Sequence, residues 1–234
     1  MKLTESQIEN LYNFTRQHYV VYYDVQTELV DHLANDIKQI WLEYPKITFE
    51  EARDKSFKKF GIFGFMDVVE SKENQMTKKY FKLVLKFAKE WLSLPKIVLT
   101  ILLLFGFYEL QHYSFGYQIY LGIFITSTIT QFMMLINNAR KLKQKQKQKQ
   151  TQKKWLFEHV LNMQGLGNTS LIFIYFFDFP IASAKEFLAM GDFKRAFYAI
   201  LITAFLIISY ITLVVIPKKT VELLVQTYPE YKMA

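Results

Sequence analysis

The chain contains no cysteine, and its histidines stop at His18, His32, His112 and His159. Without thiols, disulfides and thiolate metal centres are excluded. A nucleophile triad, a glycine-rich phosphate-cradling loop and a zincin motif are absent as well. These gaps exclude the common signatures of catalysis, so no catalytic residue, cofactor or metal is assigned and the chain is not read as an enzyme. The opening MKLTESQIENLYNF has no charged n-region followed by an apolar h-region and a small-residue cleavage site. The expectation is therefore that the first apolar run inserts the chain and that residues 1–96 stay in the cytosol.

Charge is nearly missing from four runs, Ile97 to Tyr113, Gly116 to Ile136, Thr169 to Ala184 and Ala196 to Ile216. A helix rising about 1.5 Å per residue needs roughly 20 apolar residues to cross a hydrocarbon core about 30 Å thick. Four transmembrane helices are expected from these runs. The net charge of +8 is concentrated in Arg140, Lys141, Lys143, Lys145, Lys147, Lys149, Lys153 and Lys154. Such a block between two spans is a topology signal that holds its loop in the cytosol, and nucleic acid is not indicated as a partner. Lysine before Ile97 and Lys218-Lys219 after the fourth run share that side, which places both termini in the cytosol.

The first 96 residues read as soluble helices. Thr4 and Gln7 form a capping box ahead of a helix over about 4–18 that carries Ile8, Leu11, Tyr12 and Phe14. Val25, Leu29, Leu33, Ile37, Ile40 and Tyr44 then step by four, four, four, three and four along one face of a second helix. Gln26, Asp31, Asn35 and Lys38 are placed on its other side, and Pro45 ends it. Thr48 and Glu51 open a third helix, and Gly61 supplies its left-handed cap. Beyond the aromatic turn GIFGF, residues 66–94 form a further helix or a broken pair. In this segment Lys78, Lys82 and Lys86 alternate with aromatic and aliphatic residues. A basic helix of this kind fits an anionic inner leaflet.

The order Tyr23, Glu28-Leu29-Val30-Asp31-His32-Leu33, Phe49-Glu50-Glu51-Ala52 and Phe60-Gly61 resembles the HAAS-type helical domain over about residues 8–72. Two departures stand out: Glu43-Tyr44-Pro45-Lys46 replaces a usual glycine, and the segment FGIFGF is more aromatic than the pattern. The resemblance implies a cytoplasmic three-helix adaptor of bacterial membrane proteins, with no catalytic residues to carry over.

The resulting expectation is an all-α protein, a small N-terminal helical bundle followed by a four-helix transmembrane domain. Residues 1–75 form the bundle, 76–96 a basic juxtamembrane helix, 97–216 the membrane domain and 217–234 a cytosolic tail. The membrane domain includes a basic cytosolic loop at 137–155, in which Lys143, Lys145 and Lys147 join Lys78, Lys82 and Lys86 as anionic-lipid contacts. The Lys/Gln alternation there is either a solvated helix extension or a flexible loop. Trp155 opens an interfacial helix at headgroup depth.

Asp178 sits near the middle of the third run beside Pro180, where a charge costs roughly 2.5 to 3.5 kcal/mol on insertion scales. It reads as part of an ion or proton path, as a carboxylate near the outer surface, or as an acceptor for the hydroxyls and amide of 126–131. Glu109, four residues before Tyr113, reaches the outer headgroups. On the second helix Glu28 and His32 lie one turn apart with Asp31 beside them, a spacing that packing explains more simply than a metal. Glu28, Asp31 and His32, with Phe63 and Phe65 of the aromatic turn, are the candidate docking face for another membrane or cytosolic protein. Few small residues line the apolar runs, which favours assembly with itself or a partner. The leading expectation is a non-catalytic bacterial inner-membrane scaffold, regulatory or accessory subunit; the alternative is a transporter or channel subunit using Asp178 and Glu109.

Overall fold

A computed structural model describes residues 2–148, 153–162 and 184–233. The helices are α1 (Glu5–Gln17), α2 (Tyr23–Glu43), α3 (Phe49–Lys58), α4 (Met66–Lys89), α5 (Lys96–Leu110), α6 (Gly116–Gln148), α7 (156–162), α8 (Ala184–Leu188), α9 (Asp192–Tyr210) and α10 (Ile216–Thr227). No strand occurs among the described residues, so the chain is all-α. Two compact units divide it, one from residues 1–78 and 151–159, the other from 79–150 and 160–233.

In the first unit both capping boxes form. Thr4 and Gln7 exchange side-chain and backbone hydrogen bonds at the start of α1, and Thr48 and Glu51 do so at α3. Each box satisfies two N–H groups that a helix start leaves unpaired. The core follows the expected stripe, with Val25, Leu29, Leu33, Ile37 and Ile40 of α2 buried against Leu11 and Phe14 of α1 and Ala52 of α3. Tyr44 is exposed and carries the Lys55 ammonium over its ring at 3.4 Å. Gln26, expected on the polar side, is instead buried: its Nε2 donates to the Val20 carbonyl at 2.6 Å. That bond holds the turn in which Tyr19 takes a φ of 64°, so a polar residue is needed inside.

The segment after the Lys/Gln stretch departs most from expectation. Trp155, Leu156 and Phe157 belong to the first unit and are buried there, where headgroup depth was expected for Trp155. Trp155 meets Tyr23 edge to face at 5.4 Å, His159 meets Tyr22 at 5.6 Å, and Lys153 sits 3.9 Å over the Tyr23 ring. Tyr22, which precedes α2, provides no side-chain cap. The Tyr23 N–H instead donates to the Lys154 carbonyl at 2.7 Å, while the Leu156 N–H donates to Asp24 Oδ1 at 3.1 Å. Two helix starts thus cap one another, which supplies partners for donors that water would otherwise have to satisfy.

The second unit is built on pairs of antiparallel helices. Gln111, at the end of α5, donates to the Arg195 carbonyl near the start of α9, and Trp91 meets Tyr210 at the far end of α9. Farther along, Phe87 lies 5.0 Å from the Lys219 ammonium and Lys79 donates to Thr227 at 2.8 Å. The chain 79–111 is therefore followed in reverse by 195–227. Helix α5 turns 85° from α4 at Ser93-Leu94-Pro95. The returning helix has a π-helical turn, Ile211–Val215, and Pro217 in the first turn of α10. Both are features at which helices bend.

A cluster of Tyr120, Phe187, Ile202 and Phe205 joins α6, α8 and α9, with Phe107 of α5 against it. The Tyr120 hydroxyl donates to the Phe107 carbonyl at 2.8 Å, and Gln131 of α6 donates to Ser209 of α9 at 3.0 Å.

The expectation of four spans is corrected. Among the described residues one helix is long and apolar enough to cross a membrane, Asp192–Thr227, whose most apolar 18-residue stretch has a mean hydropathy of 2.8. The bent pair Met66–Leu92 and Lys96–Leu110 is a second only if counted as one broken span. The reason is geometric for the first run: α5 has 15 residues, about 22 Å at 1.5 Å each, short of a 30 Å core. The second run shares α6 with the basic stretch, whose backbone is helical through Gln148, so the helix-extension reading holds that far. The third run, 169–184, lies outside the described residues apart from Ala184.

Candidate functional site

The candidate docking face sits on the first unit, where α2, α3 and the start of α4 enclose a cleft of about 320 Å³ lined by Leu29, His32, Asp36, Ser56, Lys59, Phe60 and Val68. Helical periodicity places His32 and Asp36 one turn apart on the rim, above the buried Leu29. Glu28 stands one turn before His32, with its Oε1 4.0 Å from His32 Nε2. Its other oxygen takes the Lys72 ammonium of α4 at 2.7 Å. Glu28 is therefore partly spent on holding α4 to α2, whereas Asp31 and His32 are exposed.

Asp36 is bound by Lys59 across the cleft. Partial burial by itself would raise its carboxyl, but hydrogen bonds from Lys59 and Ser56 and the Lys59 charge outweigh this and hold it below the ordinary 3.8. A lowered carboxyl contributes stability above pH 3.8 that disappears as pH falls through its folded value. Lys59→Gln is expected to lower the stability of this unit at pH 7 and leave it unchanged at pH 2, by under about 1 kcal/mol for so exposed a pair. Denaturant melts at the two pH values check this; equal losses at both would mean the pair acts through packing.

The aromatic turn splits in two. Phe65 is 1% exposed and lies among Phe14, Phe57 and Phe60, with Phe57 and Phe60 at 4.8 and 4.9 Å. Phe63 is 71% exposed and Ile62 99%. The glycines cause the division. Gly61 and Gly64 take φ of 80° and 56°, and a Cβ on Gly64 would meet the Phe57 ring at 2.9 Å. The turn is drawn tight against the core and its two middle residues are left outside. Phe63 thus stays on the candidate face, while Phe65 belongs to the core. Ile62, Lys59 and Lys72 were not anticipated; the Gly-Ile-Phe-Gly spacing is the signal that could have found Ile62.

The remaining sites fall elsewhere. Lys78, Lys82 and Lys86 are exposed on α4. Lys143, Lys145 and Lys147 lie on the C-terminal extension of α6. Glu109 is exposed at the end of α5, where its carbonyl lies 3.3 Å from His112 Nδ1. Asp178 lies outside the described residues. Among the described residues no group of three His, Asp or Glu side chains is placed to hold a metal ion.

Besides the apolar cluster around Tyr120 and Phe205, the second unit has two helix faces that bury polar residues and expose apolar ones. Helix α5 buries Thr100 and leaves Val98, Ile101, Leu102 and Phe105 outside. The second half of α6, beyond the buried Tyr120, buries Gln131 and exposes Ile129, Phe132 and Met133. Contiguous apolar surface of this kind marks contact with lipid or with another protein. Family models, curated proteins and solved structures were all compared with the chain, and none of them matches it.

Proposed function

We propose that the chain is a non-catalytic, multi-pass protein of a bacterial inner membrane, a scaffold or accessory subunit whose HAAS-like cytosolic unit docks a protein partner. The inverted burial of α5 and the second half of α6 carries this reading. Lipid tails accept Leu, Ile and Phe at no cost, while Gln131–Ser209 and Tyr120–Phe107 hydrogen bonds join helices where no water competes. The positive-inside preference then sets both termini in the cytosol, with the first unit in water.

The docking face comprises His32 on the rim of the 320 Å³ cleft and the exposed Asp31 next to it in sequence, with Ile62 and Phe63 as the apolar element. A central apolar anchor surrounded by polar groups is the usual composition of a protein contact. A photoreactive residue at Phe63 in cells is expected to give one discrete adduct, which Asp31→Arg with His32→Glu removes without lowering abundance. Adducts that persist in that variant, or none from Phe63, would place docking elsewhere or nowhere.

A further inference from the structure

We propose that the second half of α4 and the helical turn after it, Glu90–Leu92, lie flat on an anionic phospholipid leaflet, seated through Phe81, Lys82, Leu85, Lys86, Lys89 and Leu92. This rests on the membrane reading above and goes beyond it by assigning a surface, an orientation and a lipid chemistry.

The helix has two unlike sides. Tyr80, Val84 and Phe87 are buried within the second unit, where Phe87 faces Lys219 of α10. On the rest of its surface Phe81, Lys82, Leu85, Lys86, Lys89 and Leu92 are all exposed. Their spacing of one, three, one, three and three residues keeps them on one stripe. Leu85 is 62% exposed and Phe81 43%, so the described residues leave much of the apolar stripe uncovered.

Charge selects the occupant. Lys82, Lys86 and Lys89 have no carboxylate partner among the described residues, because the neighbouring Glu90 is paired with Lys96 at 3.0 Å. A protein groove would have to supply acids between apolar pockets along the whole stripe. An anionic leaflet supplies phosphates above and acyl chains below at every position, which suits aliphatic side chains alternating with lysines that reach upward. Orientation agrees. The 85° corner between α4 and α5 lets α5 enter the bilayer while α4 stays in its plane.

The absence of cysteine makes the test direct, since Leu85→Cys provides a unique site for a nitroxide in the full-length protein. A second single variant, Ile200→Cys on the exposed side of α9, reports on the membrane core. Both are reconstituted in nanodiscs of phosphatidylcholine alone and with phosphatidylglycerol, and label depth is read from collisions with oxygen and an aqueous nickel chelate. The expected result is a label at position 85 about 5–10 Å into the headgroup–acyl boundary in anionic discs, and nearer water when Lys82, Lys86 and Lys89 are changed to Gln. The label at position 200 stays in hydrocarbon throughout. If the label at 85 is in water in both discs while that at 200 is in hydrocarbon, the proposed surface is wrong and the membrane reading stands. Equal depth with and without the lysines, or with and without anionic lipid, overturns the charge-based recognition. A label at 200 found in water removes the membrane reading, and this inference with it.

Discussion

Trp155→Ala is expected to destabilise the first unit by about 3–5 kcal/mol, the usual loss on deleting a buried tryptophan side chain. Trp155 is 4% exposed and packs on Tyr23, at the point where α2 and α7 cap each other. The bonds from the Tyr23 N–H to the Lys154 carbonyl and from the Leu156 N–H to Asp24 flank the indole and are expected to open more often without it. Domains are stable by about 5–15 kcal/mol, so the loss would be a large share of the total. The measurement is hydrogen exchange of the Tyr23 and Leu156 amides in the full-length protein. A loss of 3 kcal/mol corresponds to roughly a hundredfold faster exchange at about 1.4 kcal/mol per decade. Asp24→Ala, which removes one cap and little packing, should cost about 0.5–2 kcal/mol. Unchanged exchange at Tyr23 in the tryptophan variant would show that residues 153–159 contribute nothing to the first unit.

The paired variants Phe65→Ala and Phe63→Ala are expected to separate stability from docking. Phe65 touches three other phenylalanine rings and His18, so its loss leaves a cavity among edge-to-face aromatics and should cost about 3–5 kcal/mol. Phe63 points outward, and its substitution should change stability by less than about 0.5 kcal/mol. Unfolding followed by near-ultraviolet circular dichroism gives both values. If Phe63→Ala proves as destabilising as Phe65→Ala, the turn does not divide as described and the docking face loses its apolar element.

Several elements were legible from residues alone because they depend on neighbours three or four positions apart. Thr4 with Gln7 and Thr48 with Glu51 announced two helix starts, and both boxes form. The stripe from Val25 to Ile40 announced the buried face of α2. Gln26 shows the limit of such reasoning. Its polarity indicated the outer side, but a carbonyl stranded by the turn at Tyr19 needed a donor from within. Phe63 and Phe65 have the same side chain two residues apart, and the backbone conformation of Gly61 and Gly64 decided which one entered the core. Among the candidate site residues, Glu28 was placed both in packing and on the docking face, and its bond to Lys72 of α4, which no local pattern announced, commits one oxygen to packing.

By itself the sequence determined that this protein is helical, that its charge and its apolar runs are segregated along the chain, and where several of its helices begin. Tertiary structure decided where those helices end up. It drew residues 153–159 into the first unit, paired 79–111 with 195–227, and turned α5 by 85° from α4. The difference is one of range. Caps and periodicity are settled within one turn of helix, whereas the bond between Asp24 and Leu156 joins positions 132 residues apart and depends on which surfaces remain to be covered after local structure has formed.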